Sequence, residues 1–259
     1  MDGSVPEGPT DVAAELDRLR HSPKGRPEWT GLVSPGLELA DGPSFVPQYE
    51  AIFVDGVYDF PHAGSAPTIV DGGANIGLAL LWWRSRWPEA RILAFEPDPK
   101  LFKFLQCNTR HLRGLELFRC ALTATGADGV FVSEGTDAGR MVGTTADAAI
   151  GEVIEVPSVT LSSVLGDLDI VDLLKLDIEG SETAVLEESE ESLDKVERVF
   201  VEYHSFFERE QELGRLVSLL ERSGFRYTVE TPVRARRPFH GVPGDRGIDF
   251  QCEISAWKP

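Results

Sequence analysis

Between residues 68 and 96 the chain reads TIVDGGANIG, then a long apolar stretch, then RILAFE. A β-branched run, a glycine-rich turn, a helical pattern and a second apolar run ending on a carboxylate make one strand–helix–strand unit. The two strands of such a unit lie parallel, and parallel sheets need helices on both faces. A glycine-rich turn where a strand meets a helix lets a ligand approach the backbone closely. Glu96, at the end of the second strand, is placed to accept both hydroxyls of a ribose. The unit therefore implies a nucleoside-containing cofactor.

The alternation continues from Pro67 onward, the signature of a doubly wound, mostly parallel sheet. Seven strands are expected, at Thr68–Asp71, Arg91–Glu96, Leu115–Leu122, Leu173–Asp177, Arg198–His204, Phe225–Glu230 and Phe250–Trp257, the last one antiparallel. Helices fit at Ile76–Trp87, Pro99–His111, Glu182–Glu188 and Glu208–Ser223, the last with Phe207, Leu213, Leu216, Val217 and Leu220 roughly along one face. Residues 1–65, rich in Pro and Gly up to Pro47 and aromatic from 48 to 60, read as an arm or cap on a domain spanning 66–259. Two stretches interrupt the pattern: an insertion at about 123–157, expected to hold a short hairpin, and a long connection at 232–249.

Composition narrows the function classes. The net charge of −18 speaks against nonspecific nucleic-acid binding, which needs clustered Lys and Arg. The N-terminus has neither a basic n-region nor an apolar h-region, and the longest apolar stretch, Ile76–Trp83, stops at Arg84, so no signal peptide, membrane span or membrane partner is expected. Cys107, Cys120 and Cys252 form an odd, widely spaced set without C-x-x-C, which indicates neither a disulfide framework nor a zinc site and fits a cytoplasmic home. Oligomeric state is left open.

The spacing of the turn chooses among nucleoside cofactors. A dinucleotide fingerprint needs G-x-G-x-x-G, but reading from Gly72 meets Ala74 and reading from Gly73 meets Asn75. This argues against an NAD-dependent oxidoreductase. The run Asp71-Gly-Gly-Ala-Asn-Ile-Gly77 instead resembles motif I of S-adenosylmethionine-dependent methyltransferases. The order VDGGANIG, AFEPDP, Asn108-x-x-x-Leu112, KLDIEGSE and VEYH resembles the FkbM family of methyltransferases, from roughly Glu50 to Tyr203. That resemblance implies a class I, Rossmann-like fold, S-adenosylmethionine as cofactor and methylation of a hydroxyl on a small-molecule acceptor such as a sugar or polyketide-type natural product. It further implies that Gly73, Asn75 and Gly77 shape the loop and that Asp71 holds it or faces the methionine ammonium. Glu96 would take the ribose hydroxyls, Cys120 and Ala121 would flank the adenine, and Asp177 would lie near the methionine end and the acceptor. The arm would close over the cofactor and bring Tyr58 or Phe53 near the methyl donor.

A hydroxyl is a poor nucleophile until its proton is taken, so a general base is needed. His204 is the preferred candidate, with Glu202 or Asp177 orienting its ring, and Asp177 is the competing assignment. A divalent ion on Asp177, Glu202 and His204 is not favoured, because Mg²⁺ prefers carboxylates and water and histidine suits it less. Arg234, Arg236, Arg237 and Arg246, with His240 beside them, form the one basic cluster and are candidates for recognising an anionic group on the acceptor. Two alternatives stand: methyl transfer to an amine nitrogen, and a non-catalytic binding module on the same fold.

Overall fold

The computed structural model describes residues 11–33, 35–133, 139–142, 152–234, 239 and 247–259. The N-terminal arm forms α1 (Val12–Arg20), the antiparallel pair β1 (Glu28–Thr30) and β2 (Leu37–Leu39), and α2 (Gly42–Tyr49), which runs into a π-helical turn at Glu50–Val54. Asp11 and Asp41 cap the two helices, accepting from the amides of Ala14 (3.1 Å) and Ser44 (2.8 Å).

The central unit follows as β3 (Thr68–Gly72), α3 (Leu78–Arg86), β4 (Arg91–Phe95), α4 (Pro99–Thr109) and β5 (Leu115–Phe118). Next come β6 (Ala121–Leu122), β7 (Gly129–Ser133), β8 (Gly139–Val142), β9 (Glu152–Val156), β10 (Ser158–Val159) and α5 (Leu161–Gly166). The chain closes with β11 (Leu173–Leu176), α6 (Glu182–Glu188), β12 (Arg198–Phe206), α7 (Leu213–Arg222), β13 (Arg226–Arg234) and β14 (Ile248–Trp257).

The main sheet has seven strands in the order β13-β14-β12-β11-β3-β4-β5. Strands β12, β11, β3, β4 and β5 run parallel, and β14 is antiparallel to both its neighbours. Alternate residues of the strands face opposite layers, as a period of two requires. Ile69, Ile92, Ala94, Leu173 and Phe200 pack under α3, α4 and the arm. Val70, Leu93, Leu174, Leu176, Val199 and Val201 pack under α5, α6 and α7. The first six residues of α3, Leu78–Trp83, are apolar on every side and buried, because this part of the helix lies between the sheet and the arm.

Several element limits differ from the sequence expectation for identifiable reasons. The first helix starts at Leu78 instead of Ile76, since Asn75 (φ 50°) and Gly77 (φ 93°) hold the turn in left-handed conformations. The expected strand Leu115–Leu122 splits: β6 leaves the main sheet to pair in parallel with β10. The helix expected from Glu208 begins at Leu213, and Phe207 is exposed ahead of it. The hairpin expected in the insertion is present as β7 paired with β9, and among the described residues β8, in the segment read as a loop, adds a third antiparallel strand on the other side of β7.

The chain runs outward from β3 through β4 to β5, then returns to β11 on the other side of β3. That reversal is a topological switch point, and in open α/β sheets ligands bind beside the carboxyl ends of the strands there. Gly73 and Asp177 stand just beyond those two ends. Among the described residues no helix is long and apolar enough to cross a membrane.

Candidate active site

Two cavities open at the switch point and share Gly73, Asn75, Asp177 and Glu179. The smaller is also lined by Glu96, Cys120 and Ala121, with Phe131 and Met141 supplied by the insertion. The larger, of about 500 Å³, is lined on its sheet side by Lys175, Glu202, His204, Gln251 and Glu253. Its opposite wall is arm and α3: Pro47, Ile52, Val57, Tyr58 and Leu78 among them. Of the residues singled out in the sequence, these cavities gather Gly73, Asn75, Glu96, Cys120, Ala121, Asp177, Tyr58, Glu202 and His204. Asp71 and Gly77 line neither.

The loop between β3 and α3 is held on three sides. The amides of Gly73 and Ala74 donate to the Phe95 carbonyl, each at 3.0 Å. Glu96 accepts from the amide of Asn75 (2.8 Å) with one oxygen and from that of Asp98 (2.9 Å) with the other. Burial pushes the Glu96 carboxyl up to about 8, even though both backbone donors favour its charged form. Gly77 serves packing, because a Cβ there would stand 2.9 Å from Leu105 Cδ1 and 3.0 Å from Thr109 Cγ2 of α4. Asn108 ties the arm to this loop: its carboxamide accepts from Glu38 N (2.9 Å) and donates to the carbonyls of Glu38 (3.0 Å) and Ile76 (2.9 Å).

The third support is Lys175, which the sequence reading passed over. Its ammonium donates to Asp71 Oδ1 (3.0 Å) and to the Gly73 carbonyl (2.8 Å), and both charged side chains are buried. Burial works against the ammonium, but the charges of Asp71 and Asp177 outweigh it and hold the lysine firmly protonated. Asp71 thus steadies the loop through Lys175. A signal for this pair exists in the sequence: each is a lone charge in a central apolar strand, and such charges are paired when buried. The register that makes them neighbours, Lys175 beside Asp71, belongs to the sheet.

Deeper in the larger cavity, His204 is buried among carboxylates. Its Nδ1 lies 3.4 Å from Glu182 Oε1, and its Nε2 lies 3.7 Å from Glu179 Oε2 and 3.6 Å from Glu202 Oε1. Burial disfavours a charged ring, yet the hydrogen bond to Glu182 and the surrounding carboxylates push it up to about 10. Burial and the Asp177 charge raise Glu202 as well. Gln251 Nε2 donates to Glu202 Oε1. Tyr58 packs edge-on against Phe200 (4.9 Å) and lies 5.8 Å from the Lys175 ammonium, whereas Phe53 stacks on Tyr49 and lines neither cavity. Arg236, Arg237, His240 and Arg246 lie outside the described residues, as does the side chain of Arg234.

Comparison with known proteins gives the family. Residues 71–227 match the family model described as the methyltransferase FkbM domain. The chain is 33% identical over 245 residues to methyltransferase sdnD of Sordaria araneosa, covering 82% of this chain and 85% of that protein. It is 29% identical over 237 residues to the 31-O-demethyl-FK506 methyltransferase FkbM of Streptomyces tacrolimicus, covering 76% and 88%. Among solved structures, a methyltransferase FkbM from Methylobacillus flagellatus KT shares the fold with a TM-score of 0.50 at 16% identity, over 76% of this chain and 45% of that one. With the glycine loop, Glu96 and Asp177 gathered at one switch point and the family match spanning them, the chain belongs to the FkbM family and is an S-adenosylmethionine-dependent methyltransferase.

Proposed function

We propose that this protein transfers a methyl group to a hydroxyl of a small-molecule acceptor, with the cofactor's nucleoside in the smaller cavity and the acceptor in the larger. The observation that carries this reading is the shared wall of the two cavities, Gly73, Asn75, Asp177 and Glu179, which supports a reacting centre at their junction. The relative from Streptomyces tacrolimicus is named for methylating 31-O-demethyl-FK506, and the apolar arm-side wall suits a natural product of sugar or polyketide type. An acceptor oxygen's lone pair forms the new C–O bond as the C–S bond breaks and its electrons pass to sulfur. Alignment of the two partners supplies much of the acceleration.

Residue roles follow from position. Glu96 takes the ribose hydroxyls, and Cys120 and Ala121 flank the adenine. Asp177, at the junction, orients the acceptor beside the methyl group. His204 sits among carboxylates that favour its charged form, so Glu202, which faces the cavity from the neighbouring strand position, is assigned the acceptor's proton.

Calorimetry with S-adenosylhomocysteine tests the reading directly; a folded sample that shows no binding overturns it. Glu96→Gln is expected to weaken that binding by about 3 kcal/mol, roughly a hundredfold, through loss of charge-assisted hydrogen bonds. Because the free Glu96 is raised to about 8 and the ribose hydroxyls favour its ionised form, binding at neutral pH releases protons. Affinity should therefore rise as pH increases toward about 8, and the measured enthalpy should vary with buffer ionisation enthalpy. Glu96→Gln should lose a large part of that buffer dependence; an unchanged dependence removes Glu96 from the role. Glu202→Gln should lower kcat by ~10²-fold or more while S-adenosylhomocysteine affinity stays within a few-fold of wild type.

A second reading, methyl transfer to an amine, is favoured by one observation. Glu202, Glu253 and Glu230 are registered partners across β12, β14 and β13, and Asp177 stands one residue past the last registered pair of β11 with β12. This acidic row would attract a cationic acceptor. Since a neutral amine needs no base to become nucleophilic, near-normal turnover of an amine acceptor by Glu202→Gln would select this reading.

A further inference from the structure

We propose that Asp177, Glu179 and His204 form a binding site for a single divalent cation of the Mn²⁺ type at the junction of the two cavities. Each residue offers one ligand atom, and these atoms all lie within 4.8 Å of one another. They come from three separate positions that the fold converges: the end of β11, the turn that follows it, and β12.

The histidine is arranged as a ligand. Its ring is buried, with a side-chain exposure of 4%, and Nδ1 faces the carboxylate of Glu182. Glu182 is itself buried and fixed, accepting from the amides of Ile178 (3.2 Å) and Gly180 (2.9 Å). A carboxylate that holds one ring nitrogen while the other faces a metal is the recurrent support of metal-bound histidine. The remaining nitrogen, Nε2, points at Glu179 and Glu202 from 3.7 and 3.6 Å. Both distances exceed hydrogen-bond range, so Nε2 meets these carboxylates through charge alone, and a bound cation would take the place of its proton.

The charges around the site ask for a cation too. Asp177, Glu179, Glu202 and Glu253 line the cavity and outnumber the one nearby ammonium, Lys175, which bonds Asp71 and lies 3.8 Å from Asp177 Oδ2. One imidazole and two carboxylates suit Mn²⁺, with Mg²⁺ a weaker occupant because it prefers an all-oxygen shell. The histidine that argued against a metal at the sequence level turns out to present one buried nitrogen to two carboxylates.

This site rests on reading the larger cavity as the acceptor pocket. There the ion would bind the acceptor oxygen beside the methyl donor and ease loss of its proton, which passes to Glu202.

The test titrates Mn²⁺ into the whole chain loaded with S-adenosylhomocysteine, following free Mn²⁺ by electron paramagnetic resonance and ligand nitrogen by electron spin echo modulation. The expected result is one tightly bound ion per chain with nitrogen coupling from a single imidazole. His204→Ala should remove the coupling, and His204→Ala and Glu179→Gln should each weaken binding ~10-fold or more. Retained S-adenosylhomocysteine binding by each variant shows that it is folded. No binding at millimolar Mn²⁺, binding without nitrogen coupling, or binding unchanged in both variants overturns the proposal. Failure of the wild type to bind S-adenosylhomocysteine would instead sink the functional reading, so the two outcomes are separable.

Discussion

Gly73→Ala is expected to weaken cofactor binding by ~10²-fold and to lower the melting temperature. Gly73 sits at φ 85°, where an L side chain is strained by about 1–2 kcal/mol before any contact is counted. A Cβ there would also stand 1.9 Å from the carbonyl oxygen of Asp177. That oxygen belongs to backbone at the end of β11, locked to β3 by the bond from the Asp177 amide to the Gly72 carbonyl at 3.0 Å. No rotamer change relieves the clash, so the two strand ends must part by roughly 1 Å, a displacement that costs ~10²-fold when it falls on binding or reacting groups. Asn75 and Asp177, which line both cavities, move with the loop. Calorimetry with S-adenosylhomocysteine and a thermal melt of the same sample check the two halves, and wild-type affinity in Gly73→Ala would show that the loop is not the cofactor's seat.

Lys175→Met should cost about 3–5 kcal/mol of stability, because it leaves the carboxylate of Asp71 buried without its partner. The loss should depend on pH in a definite direction. In the variant, the lone buried Asp71 is held protonated, while in the unfolded chain it ionises above about 3.9. The folded variant then binds more protons than the unfolded one, so its stability falls as pH rises above that value until the raised native pKa is passed. Urea unfolding at pH 5 and at pH 8 should show the deficit against wild type widening with pH. The double substitution Lys175→Met with Asp71→Leu should recover most of the stability, since removing both charges removes the unpaired one. A deficit that stays constant with pH, or a double variant as unstable as the single one, would contradict the pairing.

The elements that were legible in the sequence carry a local signal. Strands β3, β4 and β11 are short apolar runs with no competing period, and the glycines and asparagine of the loop have spacing that only one class of turn accommodates. Glu96 and Asp177 were identifiable because each closes such a run. Limits failed where a non-local partner decided: β6 pairs with β10 across nearly forty residues of chain, and nothing between Leu115 and Leu122 marks where the first sheet is left. The arm illustrates the same point. Its aromatic segment was recognisable as packing material, but which of its rings reach the cavity, Tyr58 and not Phe53, depends on the π-helical turn and on Phe200 of a distant strand.

The sequence by itself determined the fold class, the glycine-rich loop and the carboxylate opposite it, because backbone freedom at glycine and period-two burial act over a few residues. Only the tertiary structure decided what Lys175, Glu179, Glu182 and His204 meet. Their chemistry depends on which charge lies within about 4 Å, a distance set by strand register and by the turn after β11. Charges far apart along the chain become partners only when the sheet places them side by side.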